Sequence, residues 1–475
     1  MLIYECVGPE VLLQVKILIQ EYIKVFDAKT KILIPAGALG IPYDRDALAR
    51  GLSENPDLIA IDGGSTDSGP YYLGTGRSKY SRNATKADWA DLMAARTIAN
   101  VPLVIGTAGT SGADSAVDWM LDITLEIARE RGETLKIATL KSGQQKEKII
   151  TAFNKGAITP LEGAPNIDKT ILDQCTNIVA LAGIEQIQAA LSSEADIIIA
   201  GRTTDTAIIA ALPIARGCHK GAAWHGAKIA ECGALATTNP NSGVILMSFD
   251  ETGFTITPLA HDTSATPYTV SAHMLYENAD PYILYEPGGW LDVRLAQYTA
   301  IDDISVRVEG SVWHETSNYT VKLEAARQAG FQTVSFVLVR DAHYCAHIHE
   351  WANALKASFE HKAQLNGLTE TKLELRAIGR NATLGQLETN HSSDGEVGIM
   401  AIFTSLYQKQ ANEAAKMLNP DLLHLPLTPH EPMPTFAFPF SPPEMDRGPI
   451  FEFCLHHTMT LNDPMYAFRL QIIES

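Results

Sequence analysis

Residues 58–107 read LIAIDGGSTDSGPYYLGTGRSKYSRNATKADWADLMAARTIANVPLVIGT, and they contain one complete strand–helix–strand unit. LIAID (58–62) and PLVIGT (102–107) each predict a buried strand, because each is a short apolar run. Between them, Trp89 and Leu92 mark one apolar face of a helix. Two strands joined through a helix are the unit from which parallel sheets are built.

The same alternation continues on both sides of this unit. Further strands are predicted at KILIPA (31–36), KIATL (136–140), NIVALAG (177–183) and DIIIAG (196–201). Helices are predicted near residues 43–52 and from Ala113 onward. We therefore predict the α/β fold class for residues 31–238, with a mostly parallel, doubly wound sheet and helices on both faces.

The pattern changes after Thr238, where Asn239-Pro240-Asn241 is a turn cluster. Shorter strand candidates and a helix around residues 397–418 predict an α+β domain over residues 239–419. Residues 420–475 are interpreted as a proline-rich tail followed by a closing strand, and residues 1–30 as an N-terminal helical extension.

Composition excludes several classes of protein. The 475 residues include 37 Lys and Arg against 55 Asp and Glu, which gives a formal net charge of −18. So acidic a chain argues against a nucleic-acid binder and against docking on anionic membranes. The six cysteines are dispersed and form no CxxC pair, so a reducing, cytoplasmic compartment is expected. We expect the chain to form a homo-oligomer. The sequence leaves open whether a small partner protein also binds.

Three predicted strands end in polar, glycine-rich loops at residues 61–76, 106–115 and 200–207. Ligands of open parallel sheets bind at the carboxyl ends of the strands, so these loops predict a crevice for a small anionic substrate. The predicted substrate-binding residues of the loops are Gly64, Ser65, Thr66, Thr107, Gly109, Thr110, Ser111, Arg202, Thr203 and Thr204. The alternative for each loop is an ordinary helix cap.

Asp67 and Asp205 follow the first and third of these strands and are predicted acid–base residues. As hard oxygen ligands they are also the candidate ligands of a divalent cation, Mg²⁺ or Ca²⁺. The glycines at 106, 109 and 112 have GxxGxxG spacing rather than GxGxxG, so no NAD is predicted. Neither PLP nor haem is predicted.

The chain resembles the acyclic terpene utilization AtuA-like family. The motifs that carry the resemblance include IPAGALG (34–40), IAIDGGSTDSGPYYLGTG (59–76), VIGTAGTSGAD (104–114), IAGRTTDTAIIAALPIARG (199–217), AWHGAKIAECGA (223–234), HMLYENADPY (273–282), EPGGWLDV (286–293) and YTVKLEAA (319–326). The resemblance implies a role in the catabolism of branched acyclic isoprenoids through acyl-CoA-type intermediates.

Three further side-chain groups are candidates for the crevice. His225, Lys228 and Glu231 share one helical stripe, from which His225 is predicted to bind substrate; the alternative is a solvated helix face. If their segment is helical, His273 and Glu277 lie one turn apart and can transfer a proton; the alternative is a closed helix end.

Lys322 is the last candidate catalytic residue. It lies two residues before Glu324, so both side chains share one face of a strand. There Lys322 can bind a carboxylate or thioester oxygen, whereas the alternative is an exposed ion pair.

These residues favour an enzyme acting on a polycarboxylate or a branched acyl-CoA, and in particular a lyase that adds or removes water. Such a reaction needs an acid, a base and an enolate stabiliser, but no redox cofactor. The alternatives are a thioester or amide hydrolase and a non-catalytic subunit of a catabolic complex.

Overall fold

The computed structural model describes residues 29–278, 280–389 and 395–475. The predicted extension over residues 1–30 therefore falls almost wholly outside the described residues. Contacts divide the chain into a first unit, which runs to Arg327 and resumes at Phe453–Ser475, and a second unit, Gln328–Glu452. This division differs from the predicted one, because residues 239–327 belong to the first unit.

The strands of the described residues are β1 (Thr30–Ile34), β2 (Leu58–Asp62), β3 (Leu103–Gly106), β4 (Lys136–Lys141), β5 (Ile158–Pro160), β6 (Cys175–Ala180), β7 (Ile197–Ala200), β8 (Ile245–Phe249), β9 (Gly253–Pro258), β10 (Ile283–Glu286), β11 (Gly289–Asp292), β12 (Gln297–Ala300), β13 (Val306–Glu309), β14 (Val312–Glu315), β15 (Tyr319–Val339), β16 (Lys372–Ile378), β17 (Val397–Ser405), β18 (Glu444–Leu461) and β19 (Arg469–Glu474). The α-helices are α1 (Arg45–Ser53), α2 (Tyr71–Thr75), α3 (Arg82–Ala99), α4 (Asp114–Arg131), α5 (Lys146–Asn154), α6 (Lys169–Gln174), α7 (Ile184–Leu191), α8 (Ala207–Ala215), α9 (Lys220–Ala230), α10 (Pro267–His273), α11 (Ala342–Ala346), α12 (Ile348–Leu365) and α13 (Gln408–His424).

The first unit is built on a ten-stranded sheet with the strand order β12-β13-β9-β8-β1-β2-β3-β7-β4-β19. The five central strands, from β1 to β4 in this order, run parallel to one another. The other five pair antiparallel. The α/β class is confirmed, but the sheet is mixed rather than mostly parallel, because β8, β9, β12, β13 and β19 extend it at both edges.

Helices cover both faces of the central strands, as predicted. Leu33 packs in one apolar cluster with Trp89 of α3, whereas its neighbour Ile32 packs in another with Ala210 of α8. Alternate residues of a strand point to opposite faces, so strands buried on both sides need uninterrupted apolar sequence. LIAID meets this requirement, and all five of its residues are buried.

One predicted strand of the parallel sheet lies elsewhere. Residues 175–180 (β6) pair antiparallel with β15, with Ala180 opposite Leu323. The apolar pattern of this segment correctly indicated a strand, but the direction of pairing depends on a partner more than 140 residues away.

The second unit has a sheet of antiparallel strands, in which β17 pairs with β16 and with the C-terminal part of β15. Helices α12 and α13 pack on it through Trp351, Leu355 and Leu418. The predicted helix over residues 397–418 is wrong in its first half, because Val397–Ser405 is a strand and the helix begins at Gln408. An apolar run such as VGIMAIF fits a buried strand as well as a buried helix.

No helix of the described residues is both long and apolar enough to cross a membrane.

Candidate functional site

The first unit contains a cavity of about 560 Å³ at the carboxyl ends of β1, β2, β3 and β7. Its deep end is formed by buried residues, among them Asp62, Gly64 and Thr110. Its rim is formed by exposed residues, among them Asp67 and Glu277. The cavity is also lined by Ala36, Gly37, Ala38, Ile41, Pro42, Ser65, Ser68, Lys79, Tyr80, Asp205, Glu231, Cys232, Ala234, Leu235, Pro240, Asn241, Gly243 and Tyr276.

The structure brings six of the sequence-predicted residues to this cavity. They are Gly64, Ser65, Asp67, Thr110, Asp205 and Glu277. The others do not line it: Thr66, Thr107, Gly109, Ser111, Arg202, Thr203, Thr204, His225, His273 and Lys322.

Asp62 is the most buried acidic residue of the cavity lining and was not among the predicted residues. It ends β2, is 7% exposed, and its Oδ2 accepts a hydrogen bond from the Gly64 amide at 3.0 Å. Its Oδ1 has no hydrogen-bond partner. Burial, followed by the charge of Asp205, raises the pKa of Asp62 well above its usual range. The signal in the sequence was an acidic residue that closes a wholly apolar strand directly before two glycines.

Asp205 and Glu231 are two further carboxyl groups of the cavity with raised pKa values. Burial is the main cause in both, and it raises the pKa of Glu231 to about 8. Glu231 pairs with the buried Lys228 at 2.5 Å. The predicted stripe of α9 therefore does reach the cavity, but through Glu231 and not through His225.

Thr110 supplies a second buried polar atom without a partner. Its Oγ1 makes no hydrogen bond, and the residue is 1% exposed. Both Thr110 (φ 74°) and Thr107 (φ 44°) have left-handed backbone conformations. These conformations are unfavourable for β-branched residues, and strain of this kind concentrates at functional sites.

Arg202 lies behind the cavity and connects the three strand-end loops. Its Nε donates to Oε2 of Glu324 at 3.0 Å, and its Nη1 donates to Oγ1 of Thr107 at 3.4 Å. Thr66 Oγ1 donates to the same Glu324 oxygen at 3.4 Å. Burial raises the pKa of Glu324, but Arg202 and Lys322 lower it to about 2. This carboxylate is therefore ionised and anchors the loops.

Lys322 lies on the same face of β15 as Glu324, as predicted, and pairs with it at 2.9 Å. Lys322 is not part of the cavity wall. Its position therefore supports a different role, which is to neutralise the charge of Glu324.

The two histidines predicted for the crevice do not line the cavity. Both ring nitrogens of His225 are occupied, Nδ1 by Ser311 Oγ at 2.7 Å and Nε2 by the Tyr298 hydroxyl at 3.2 Å. Burial lowers the pKa of His225 to about 3, so it is a neutral core residue. Helix α10 ends at His273, so His273 and Glu277 are not one helical turn apart. His273 is buried and only Glu277 reaches the rim.

Asp67 and Asp205 both line the cavity, but within residues 29–278, 280–389 and 395–475 no group of three or more His, Cys, Asp or Glu side chains is placed to hold a metal ion. The divalent-cation site therefore stays a prediction.

Comparison with known proteins gives one match. Residues 97–425 match the family model described as acyclic terpene utilisation family protein AtuA. No curated protein and no solved structure matches significantly. Because the match spans more than half of the chain, the chain belongs to the acyclic terpene utilisation AtuA family.

Proposed function

We propose that this protein is a lyase that adds water to, or removes water from, a small oxygen-bearing substrate in the strand-end cavity. The observation that carries this proposal is the pair of unpartnered buried atoms at the deep end, Asp62 Oδ1 and Thr110 Oγ1. Buried polar groups almost always have partners, so two unpartnered polar atoms lining one cavity favour a ligand with hydrogen-bonding groups there.

The carboxyl groups supply the acid and the base that such a reaction needs. Asp62, the more buried of the two, is the candidate acid, which protonates the departing hydroxyl as the C–O bond breaks. Asp205 is the candidate base, which takes the proton from the neighbouring carbon while the C–H electron pair forms the C=C bond. Burial raises the pKa of both carboxyl groups, and a carboxyl group with a raised pKa transfers protons more effectively near neutral pH.

The walls of the cavity and the family description support a branched substrate. Ile41, Pro42 and Leu235 give the cavity an apolar side that fits a short branched carbon chain. The family is named for the utilisation of acyclic terpenes, which are built from branched five-carbon units. The proposed substrate is therefore a small branched acid or its acyl-CoA ester.

Solvent exchange tests this proposal directly. The full chain is incubated in D₂O with 3-methylbut-2-enoyl-CoA and with 3-hydroxy-3-methylbutanoyl-CoA, and deuterium at C2 is followed by NMR. Wild type is expected to exchange C2 hydrogen, and Asp62→Asn and Asp205→Asn are each expected to slow exchange about 100-fold or more.

Asp118→Asn is the matched control, because Asp118 lies on the exposed side of α4 in an ion pair with Lys141. Equal exchange rates in wild type, Asp62→Asn and Asp205→Asn would contradict the proposal, as would the absence of exchange with both thioesters.

A further inference from the structure

We infer that the deep end of the cavity binds an uncharged hydroxyl group of the substrate between Asp62 and Thr110, so that the ligand is a branched hydroxy acid whose single carboxylate points toward the opening. This inference rests on the proposed function only for the identity of the site, because it concerns binding and orientation.

The two unpartnered atoms belong to residues on neighbouring loops that line the same cavity. The Gly64 amide fixes Oδ2 of Asp62, which leaves Oδ1 as the free oxygen. Gly64 also brings the two loops together, because a Cβ atom at this position would lie 3.0 Å from Thr110 Cγ2. An alcohol both donates and accepts a hydrogen bond, so it satisfies a carboxyl oxygen and a threonine hydroxyl at once.

The deep end does not suit a charged group. Two buried cations, Arg202 and Lys228, already pair with Glu324 and Glu231, and neither of them lines the cavity. A ligand carboxylate placed beside Asp62 and Asp205 would lose its hydration without gaining a cation. An alcohol avoids this penalty.

The opening suits the charged end of the ligand better. Lys79 is the only Lys, Arg or His among the described lining residues, and it is exposed at the rim, where its Nζ donates to Ser68 Oγ at 2.7 Å. Asp67 and Glu277 lie at the same rim and oppose an anion, so the contribution of Lys79 is small. Water at the opening keeps most of the hydration of the carboxylate.

Isothermal titration calorimetry with four related compounds tests the inference. The probes are 3-hydroxy-3-methylbutanoate, 3-methylbutanoate without the hydroxyl, 3-methylbutane-1,3-diol without the charge, and 3-hydroxy-3-methylpentanedioate with a second carboxylate. We expect the hydroxy acid to bind about tenfold more tightly than 3-methylbutanoate and more tightly than the dicarboxylate.

Variants show which residues of the cavity produce the preference for the hydroxy acid over 3-methylbutanoate. Thr110→Val is expected to bring the affinity ratio of hydroxy acid to 3-methylbutanoate close to one, whereas Thr110→Ser retains it. Thr97→Val, on the exposed side of α3, is the matched control and leaves the ratio unchanged. Lys79→Met is expected to reduce the preference for the hydroxy acid over the diol by roughly twofold.

Equal affinities for the hydroxy acid and 3-methylbutanoate would overturn the inference. So would tighter binding of the dicarboxylate, or no binding of any probe at about 20 mM. Because these affinities need no turnover, selective binding without C2 exchange would reject the proposed reaction and leave the inference standing.

Discussion

Nε of Arg202 donates a hydrogen bond to Oε2 of Glu324 over 3.0 Å, with both side chains less than a tenth exposed. Through this pair the loop after β7 is joined to β15. Thr107 and Thr66 add the loops after β3 and β2 to the same network. The shape of the cavity therefore depends on an ion pair that does not line it.

Glu324→Gln is expected to destabilise the first unit by about 3–5 kcal/mol, because it leaves the buried Arg202 without its counter-charge. Urea unfolding at pH 7 measures the change. Glu54→Gln is the matched control, since Glu54 pairs with Lys31 at 3.5 Å at the surface and should change stability by less than about 1 kcal/mol. Equal losses in the two variants would show that the buried pair does not anchor the loops.

Gly112→Ala is expected to cost much more stability than Gly132→Ala, although the two glycines have nearly the same φ, 63° and 64°. A Cβ on Gly112 would lie 2.2 Å from the Arg202 amide nitrogen, whereas a Cβ on Gly132 meets nothing within 4 Å. Gly132→Ala should cost about 1 kcal/mol for its backbone conformation alone. Gly112→Ala should exceed about 3 kcal/mol, and similar melting temperatures for the two variants would contradict this.

Glu286→Gln is expected to stabilise the protein increasingly as the pH rises. Burial raises the pKa of Glu286 to about 7, from an ordinary value of 4.5. The unfolded chain loses this proton first, so the contribution of Glu286 to folding stability falls as the pH rises from 4.5 to about 7. Glutamine carries no such proton and retains an oxygen that accepts the hydrogen bond from Thr206.

The expected advantage of Glu286→Gln is therefore small at pH 4.5 and roughly 3 kcal/mol at pH 8. Melting temperatures of the variant and of wild type, recorded between pH 4.5 and pH 8, measure this advantage. Glu162→Gln, at an exposed position, is the control. A difference from wild type that does not change with pH would refute the assigned burial of this carboxyl group.

Leu355→Ala and Leu365→Ala test the core of the second unit on a single helix, α12. Leu355 is fully buried, whereas Leu365 is 73% exposed. The first variant is expected to destabilise the unit by about 2–4 kcal/mol and the second by less than about 0.5 kcal/mol. Circular dichroism during urea unfolding gives both values, and a large loss in Leu365→Ala would contradict the exposed position of this side chain.

The strands and helices between β1 and β7 were predictable because their signals are local. LIAID forms β2 with the predicted bounds, and Trp89 lies on the buried face of α3. The pairing of β6 was not predictable, since nothing within Cys175–Ala180 specifies a partner near Leu323. Over most of Val397–Ser405, buried and half-buried residues alternate, as expected for a strand. The sequence does not show this alternation, because the residues at both kinds of position are mostly apolar.

The candidate site was predictable only where a loop follows a strand. Asp205 and Thr110 lie on such loops and reach the cavity. Asp62 was missed because it was interpreted as the last residue of a strand. His225 was assigned to the crevice because its partners, Ser311 and Tyr298, come from segments more than 70 residues away.

The pairing of β19 with β4 has a consequence for biosynthesis. Lys136–Lys141 lies beside β7 on one side and beside Arg469–Glu474 on the other. On a translating ribosome, β4 emerges more than 300 residues before the strand that covers it. At about 5–20 residues per second it waits tens of seconds with open hydrogen-bonding groups. Nascent chains that stall inside this interval would present an uncovered strand, which makes them substrates for chaperones that bind unpaired strands.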